Sequence, residues 1–210
     1  MTSILVSSFL PQLLVIAGPN GSGKSTIMNE VNTIGSYVNA DEIQRECGCD
    51  ALKAAEIATE TREKLLQSRN SFTFETVLST ERNYNLMARA KQAGYGVICI
   101  FLLTADPEIN VRRVHKRVQA GGHDVSDEKI RARYVRALSL FPCLFEVCDK
   151  LYVYDNSLDR SEQQVDCILQ FEEGQIQIYP NAVWNEQMIQ DLIGGKYPHR
   201  FESHQDENHS

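Results

Sequence analysis

The 210-residue chain is predicted to be an α/β protein of three layers, with a central parallel sheet of about five strands between helices and a helical lid. Three observations predict it. Apolar runs alternate with helical patterns, which implies βαβ units. Residues 95–103 (YGVICIFLL) are apolar almost throughout, as in a strand buried on both faces of a parallel sheet. Residues 18–26 read GPNGSGKST, a glycine-rich loop set between an apolar run and a helical stretch.

The elements follow in order. Residues 13–17 form a buried strand, and a helix runs from about 24 to 31. Residues 36–40 (SYVNA) make a short second strand ending at Asp41-Glu42. Asp50 caps a helix over about 51–69. Residues 71–78 (SFTFETVL) are rich in aromatic and β-branched side chains and form a third strand. The next helix carries Leu86 and Ala90 on one face and stops at Gly94. Asp106-Pro107-Glu108 is a helix start: an N-cap, a proline at the first position and an acid in the first turn. That helix stops at Gly121-Gly122, and Ser126 opens another with Ile130, Tyr134 and Leu138 on one face. Residues 151–154 are a fifth core strand, 175–179 a short late strand, and 186–193 a last helix. One domain over 1–195 is expected, with its lid at about 113–136 and a mobile polar tail at 196–210. Two histidines near the end of that tail are read as solvated rather than as metal ligands.

Composition narrows the function. A net charge of -7 argues against non-specific nucleic-acid binding, so a phosphate site must be a local basic patch on an acidic body. Cys47, Cys49, Cys99, Cys143, Cys148 and Cys167 form no CxxC pair, and several lie in apolar runs. They are expected to be buried free thiols in a reducing cytosol. Cys47-Gly-Cys49 lacks the second ligand pair that a zinc site needs. The opening 18 residues superficially resemble a signal peptide, but they lack a basic start and Pro11 interrupts them. No run is long enough to span a membrane, and a cytoplasmic location is expected.

Gly18-x-x-x-x-Gly23-Lys24-Ser25 matches the P-loop pattern of NTPases in full, with the strand before and the helix after that it requires. In such a loop Gly18, Pro19, Asn20, Gly21, Ser22 and Gly23 present backbone N–H groups to phosphate. Lys24 reaches the β and γ phosphates of ATP, Ser25 binds Mg²⁺, and Thr26 supports an α-phosphate contact.

Transfer of the phosphoryl group needs more than the loop. An acceptor hydroxyl must be oriented, and cations must offset developing charge. Asp41 follows a short strand at the sheet edge where ligands bind, which makes it a candidate base; a helix cap is the competing reading. Glu75-Thr76 lies inside an apolar strand, where an unpaired carboxylate is costly, so Glu75 should meet a cation, metal-bound water or substrate hydroxyl. Its competing reading is a solvent-facing strand end. Arg113 and Arg117 share one helix face and Arg133 and Arg136 another, on a helix–turn–helix flap able to close over ATP. Ordinary solvated helix charge is the alternative. His123, at the flap tip, is a further candidate, as is Asn156, which lies in a turn able to contact adenine.

Taken together, GPNGSGKST, VNADEI, SFTFETVLST, GYGVICIFLLTADPE and the RVHKRVQAGGHDV…RARY block resemble the zeta toxin family of P-loop kinases, in particular a branch described as predicted ABC-type ATPase or kinase. The resemblance covers about residues 13–157. It implies an ATP- and Mg²⁺-dependent phosphotransferase with an alcohol group as acceptor, UDP-N-acetylglucosamine or a related nucleotide sugar. It also implies a toxin countered by a separate antitoxin protein. By that likeness Asp41 is the base, Glu75 the active-site glutamate, and Arg117 the first of two phosphate-stabilising arginines. The second falls to Arg131, Arg133 or His123. The alternatives are a kinase for another small molecule, or an ATPase switch acting through a protein partner. The LSGGQ-like signature of an ABC ATPase is missing.

Overall fold

The computed structural model describes residues 10–28, 31–158 and 165–195. The predicted polar tail and the first half of the signal-like opening lie outside the described residues. The strands are β1 (Gln12–Ala17), β2 (Ser36–Val38), β3 (Phe72–Thr76), β4 (Gly96–Leu103), β5 (Lys150–Asp155), β6 (Asp166–Glu172) and β7 (Gln175–Ile178). They join in one sheet of order β2-β3-β1-β4-β5-β6-β7. The first five in that order run parallel, as predicted, while β6 and β7 add an antiparallel margin.

Strand β6 was not foreseen. Its sequence, DCILQFE, breaks strict alternation, and its pairing with β5 shifts register between Val153 and Tyr154. The β6–β7 turn at Glu173-Gly174 holds both residues at positive φ, a two-residue hairpin geometry.

The helices are α1 (Lys24–Ile27), α2 (Ala40–Cys47), α3 (Ala51–Gln67), α4 (Glu81–Gln92), α5 (Pro107–Gln119), α6 (Asp127–Leu140), α7 (Leu144–Val147) and α8 (Glu186–Ile193). Local chemistry explains their starts. Asp50 accepts from Lys53 N at 2.8 Å, and Asp106 accepts from Glu108 N at 2.8 Å, with Pro107 in the first turn. Helix α1 is shorter than predicted, four residues capped by Met28.

One large apolar cluster covers one face of the sheet, built on Leu13, Val15, Phe72, Phe74, Phe101 and Leu151. A smaller one under α1 joins Leu14, Ile16, Ile27 and Leu102. A third, Val111, Val114 and Ile130, belongs to α5 and α6 alone. No helix among the described residues is long and apolar enough to cross a membrane.

Two local features depart from expectation or constrain the chain tightly. Cys47 and Cys49 are not buried free thiols: they are bonded to each other on the surface at the end of α2, across a left-handed Gly48. The other four cysteines are free, Cys99 and Cys148 being buried. Gly35, entering β2 at φ 61°, leaves no room for a side chain, because a Cβ there would stand 1.8 Å from Ser71 O. Gly35→Ala should therefore destabilise the protein by about 2–4 kcal/mol. Thermal melting should show a Tm lower by ~5–10 °C.

Candidate active site

Strand order sets the site. The loop after β1, the end of β2 and the end of β3 lie side by side at the carboxyl edge of the sheet, where open α/β proteins bind ligands. Gly18 N is tied to Thr76 O at 3.2 Å, which joins the loop to β3. A cleft of about 470 Å³ opens there. Asn20, Gly21, Gly23, Lys24, Ser25 and Thr26 form its donor side; Asn39, Asp41, Glu75 and Thr76 form the opposite side, with Arg113 and Arg117 above.

The loop is wound tightly. Gly18 sits at φ 142°, and a Cβ on it would lie 2.1 Å from Leu102 O, so β4 presses directly on the backbone. Ser22 is fully buried, and its hydroxyl has no hydrogen-bond partner among the described residues. The Lys24 ammonium donates to Gly18 O at 2.6 Å and Pro19 O at 2.9 Å. Burial lowers its pKa to about 8; Glu75 and Asp41 oppose that shift, while Arg117 adds to it. A partly desolvated cation, an orphaned hydroxyl and a close-packed glycine turn fit a polyphosphate. Ser25, exposed in the cleft, has a hydroxyl free for Mg²⁺ among the described residues.

Two asparagines brace the loop from behind. Asn110, fully buried, donates to Asn20 O at 2.8 Å and accepts from the Thr104 hydroxyl. Asn156 Nδ2 donates to Ser22 O at 2.9 Å. Asn156 therefore holds the loop through its amide. An adjoining hollow of about 240 Å³, between α5 and the chain after β5, is lined by Ile109, Arg112, Arg113, Lys116, Ser157 and Leu158.

Asp41 lies in the first turn of α2, with Asn39 as the N-cap: the Asn39 side chain accepts from Asp41 N at 2.8 Å. The helix-cap reading is thereby corrected: Asn39 caps α2, and Asp41 is the second residue of the helix. Its carboxylate is exposed and makes no hydrogen bond among the described residues. Glu75, half-buried, accepts from Tyr37 and Asn39. Burial and the hydrogen bond to Glu75 push the Tyr37 phenol well above its ordinary pKa. The Thr76 hydroxyl accepts from Leu78 N at 2.9 Å and Asn83 Nδ2 at 2.7 Å, so it closes the turn into α4.

The flap arginines divide. Arg113 and Arg117 reach the cleft; Arg113 donates to Asn156 O at 2.6 Å and Arg117 to His123 O at 2.9 Å. Arg133 donates to Asn20 Oδ1 at 3.3 Å and so touches the loop. Arg131 is turned the other way, onto Glu108 at 2.6 and 2.9 Å, with Asp127 at 3.7 Å. His123 is exposed and outside the cleft lining.

No family model matches the chain. Part of it is 26% identical over 123 residues to an uncharacterised protein of Haemophilus influenzae, a match covering 56% of this chain and 88% of that protein. A chain of the AvrRxo1-ORF1:AvrRxo1-ORF2 complex with sulphate ions superposes at TM-score 0.64 and 14% identity, over 89% of this chain and 64% of that one. The AvrRxo1-ORF1:-ORF2 structure with ATP gives 0.63 and 15%, over the same shares. A structure from the PezAT chromosomal toxin–antitoxin system of Streptococcus pneumoniae gives 0.55 and 18%, over 90% of this chain and 80% of that one. The shared fold is a mixed α/β one, with a central, largely parallel sheet between helices. This chain spans 64% of the length of the AvrRxo1 chains that it matches, and at these identities the likeness is one of fold.

Among the residues that frame the cleft, sequence reasoning missed Tyr37, Asn39 and Asn110. A signal for the first two existed: they stand two apart in SYVN, so they share one strand face. For Asn110, inside an amphipathic helix, no local signal existed.

A charge trapped in the loop has a measurable consequence. The folded pKa of Lys24, about 8, lies below its ordinary 10.5, so between those values the unbound site lacks a proton that a phosphate would restore. ATP binding should take up roughly half a proton or more at about pH 8–8.5 and close to none at pH 6.5–7 from this group. Affinity should fall as pH rises above about 8. Calorimetry in two buffers of different ionisation enthalpy checks it, and Lys24→Arg should remove the uptake.

Proposed function

We propose that the protein is an ATP-dependent kinase that phosphorylates a hydroxyl of a small molecule, with a nucleotide sugar such as UDP-N-acetylglucosamine as acceptor. The observation that carries this reading is the meeting of Lys24, Asp41 and Glu75 on one cleft, from three neighbouring strand ends. A hydrolase needs only the loop and a positioned water. Two carboxylates facing the loop suit an incoming alcohol.

Gly18 to Thr26 hold the triphosphate, and the base has room in the hollow beside Ser157. Asp41 accepts the proton of the acceptor hydroxyl as its oxygen attacks the γ-phosphorus. The bond to the β–γ bridging oxygen breaks, and ADP leaves. Glu75 orients the hydroxyl, while Lys24, Arg117 and a second flap arginine, Arg113 or Arg133, offset charge on the phosphoryl oxygens. Mg²⁺, held through Ser25, supplies further neutralisation of the phosphates when bound. The α5–α6 pair serves as a lid that excludes water.

The resemblance to zeta toxins and the fold likeness to the PezAT structure support a further reading: a toxin held in check by a separate antitoxin. The fold likeness to the AvrRxo1 structure with ATP supports ATP as donor. The test is incubation with ATP, Mg²⁺ and a nucleotide-sugar panel, read by mass spectrometry for one added phosphate. No product from any sugar rejects that acceptor class, and a metabolite extract then replaces the panel. Hydrolysis that needs no acceptor and survives Asp41→Asn would favour an ATPase switch instead.

A further inference from the structure

Glu75 is gripped through one oxygen. The Tyr37 phenol and Asn39 Nδ2 both donate to Oε1, Asn39 at 3.0 Å. Asn39 Nδ2 also donates to the Tyr37 oxygen at 2.8 Å, closing a triangle. Among the described residues nothing donates to Oε2. The other end of the same amide acts on Asp41, since Asn39 Oδ1 accepts from Asp41 N at 2.8 Å. One side chain therefore touches both carboxylate residues of the cleft.

Strand geometry produces this arrangement. Tyr37 pairs with Thr73 and Val38 with Phe74, so Tyr37 and Asn39 share a face with Glu75. A capping role alone does not require asparagine. Serine, threonine and aspartate cap equally well, because the cap uses only an acceptor. What asparagine adds is the donor aimed at Glu75. The half-buried phenol, held protonated by burial and by the neighbouring carboxylate, remains a donor through the working pH range.

We propose that Tyr37 and Asn39 are positioning residues for the acceptor: they fix Glu75 through Oε1, leave Oε2 for the acceptor hydroxyl, and keep that carboxylate in register with Asp41. The proposal rests on the kinase reading of the cleft. Asn39→Asp separates the two duties of Asn39, since it keeps the cap and replaces the donor with a like charge. Tyr37→Phe removes one donor to Glu75 and, with it, the oxygen that accepts from Asn39.

Transfer kinetics should show kcat lowered about 10-fold in Tyr37→Phe and about 100-fold in Asn39→Asp, with the Kd for ATP unchanged in both. Asn39→Ala should lose both activity and stability. A merely structural role predicts the opposite pattern, with Asn39→Asp as active as wild type; that result overturns the proposal. A second readout needs no acceptor. With ring-labelled tyrosine, the NMR signal of Tyr37, assigned through Tyr37→Phe, should shift in Glu75→Gln and in Asn39→Asp. An unmoved signal overturns the proposal whatever the kinetics. If wild type phosphorylates no acceptor, the proposal falls with the kinase reading, and a Tyr37 signal that still responds places the fault in the chemistry rather than in the contact.

Discussion

Asp41→Asn should abolish acceptor phosphorylation, lowering kcat by ~10²–10⁴-fold, the usual contribution of a positioned general base. Binding of ATP should be unchanged. The substitution is nearly isosteric, and the Asp41 carboxylate makes no hydrogen bond among the described residues that the fold would lose. The helix start is secured by Asn39, which grips the backbone N–H of residue 41 whatever its side chain. An amide cannot take the acceptor proton. Single-turnover transfer, melting and ATP calorimetry on the same preparation separate these effects. Full transfer activity in Asp41→Asn would remove Asp41 from the chemistry.

Lys24→Ala should act on both halves of the reaction. Loss of the cation facing the β and γ phosphates should weaken ATP binding and cut kcat/KM by about 10³-fold or more. Stability should move the other way. Burial disfavours the charged lysine, whose folded pKa of about 8 lies below its ordinary 10.5. Between those two values the unfolded chain holds more protons than the folded one, so the contribution of Lys24 to stability rises with pH across that window. At pH 7 the penalty is fully present. Lys24→Ala should therefore leave Tm unchanged or raise it, and the rise of wild-type stability between about pH 8 and 10.5 should flatten. A less stable, fully active variant would contradict the role given to the loop.

The parts of the site that the sequence reveals are those whose chemistry is local. A turn that wraps phosphate needs glycines at fixed spacing, and Gly18 confirms the need by its contact with Leu102 O. Asp106-Pro107 announces a helix because the cap and the proline act within one turn. Asn110 stayed hidden, and so did the grip of Asn156 on the loop, because their partners, Asn20 and Ser22, lie 90 and 134 residues away in sequence. Arg131 and Arg133 could not be told apart by type. Two residues on a helix stand about 200° apart, so one reaches the loop and the other Glu108, and only the packing of α5 on α6 decides which. The Cys47–Cys49 bond was missed because burial was inferred from neighbouring apolar runs, whereas Cys47 ends, and Cys49 follows, a helix that buries none of its side chains.

The two halves of the cleft are anchored very differently. The donor loop hangs from β1, which is paired along both sides and lies at the middle of the parallel strands. The acceptor side hangs from β2, a three-residue strand at the margin, and from α2. Substitutions near the loop disturb the interior, and those around Asp41 fall on the periphery. On the proposed kinase reading, such a molecule can exchange one acceptor for another over evolutionary time while its donor stays the same.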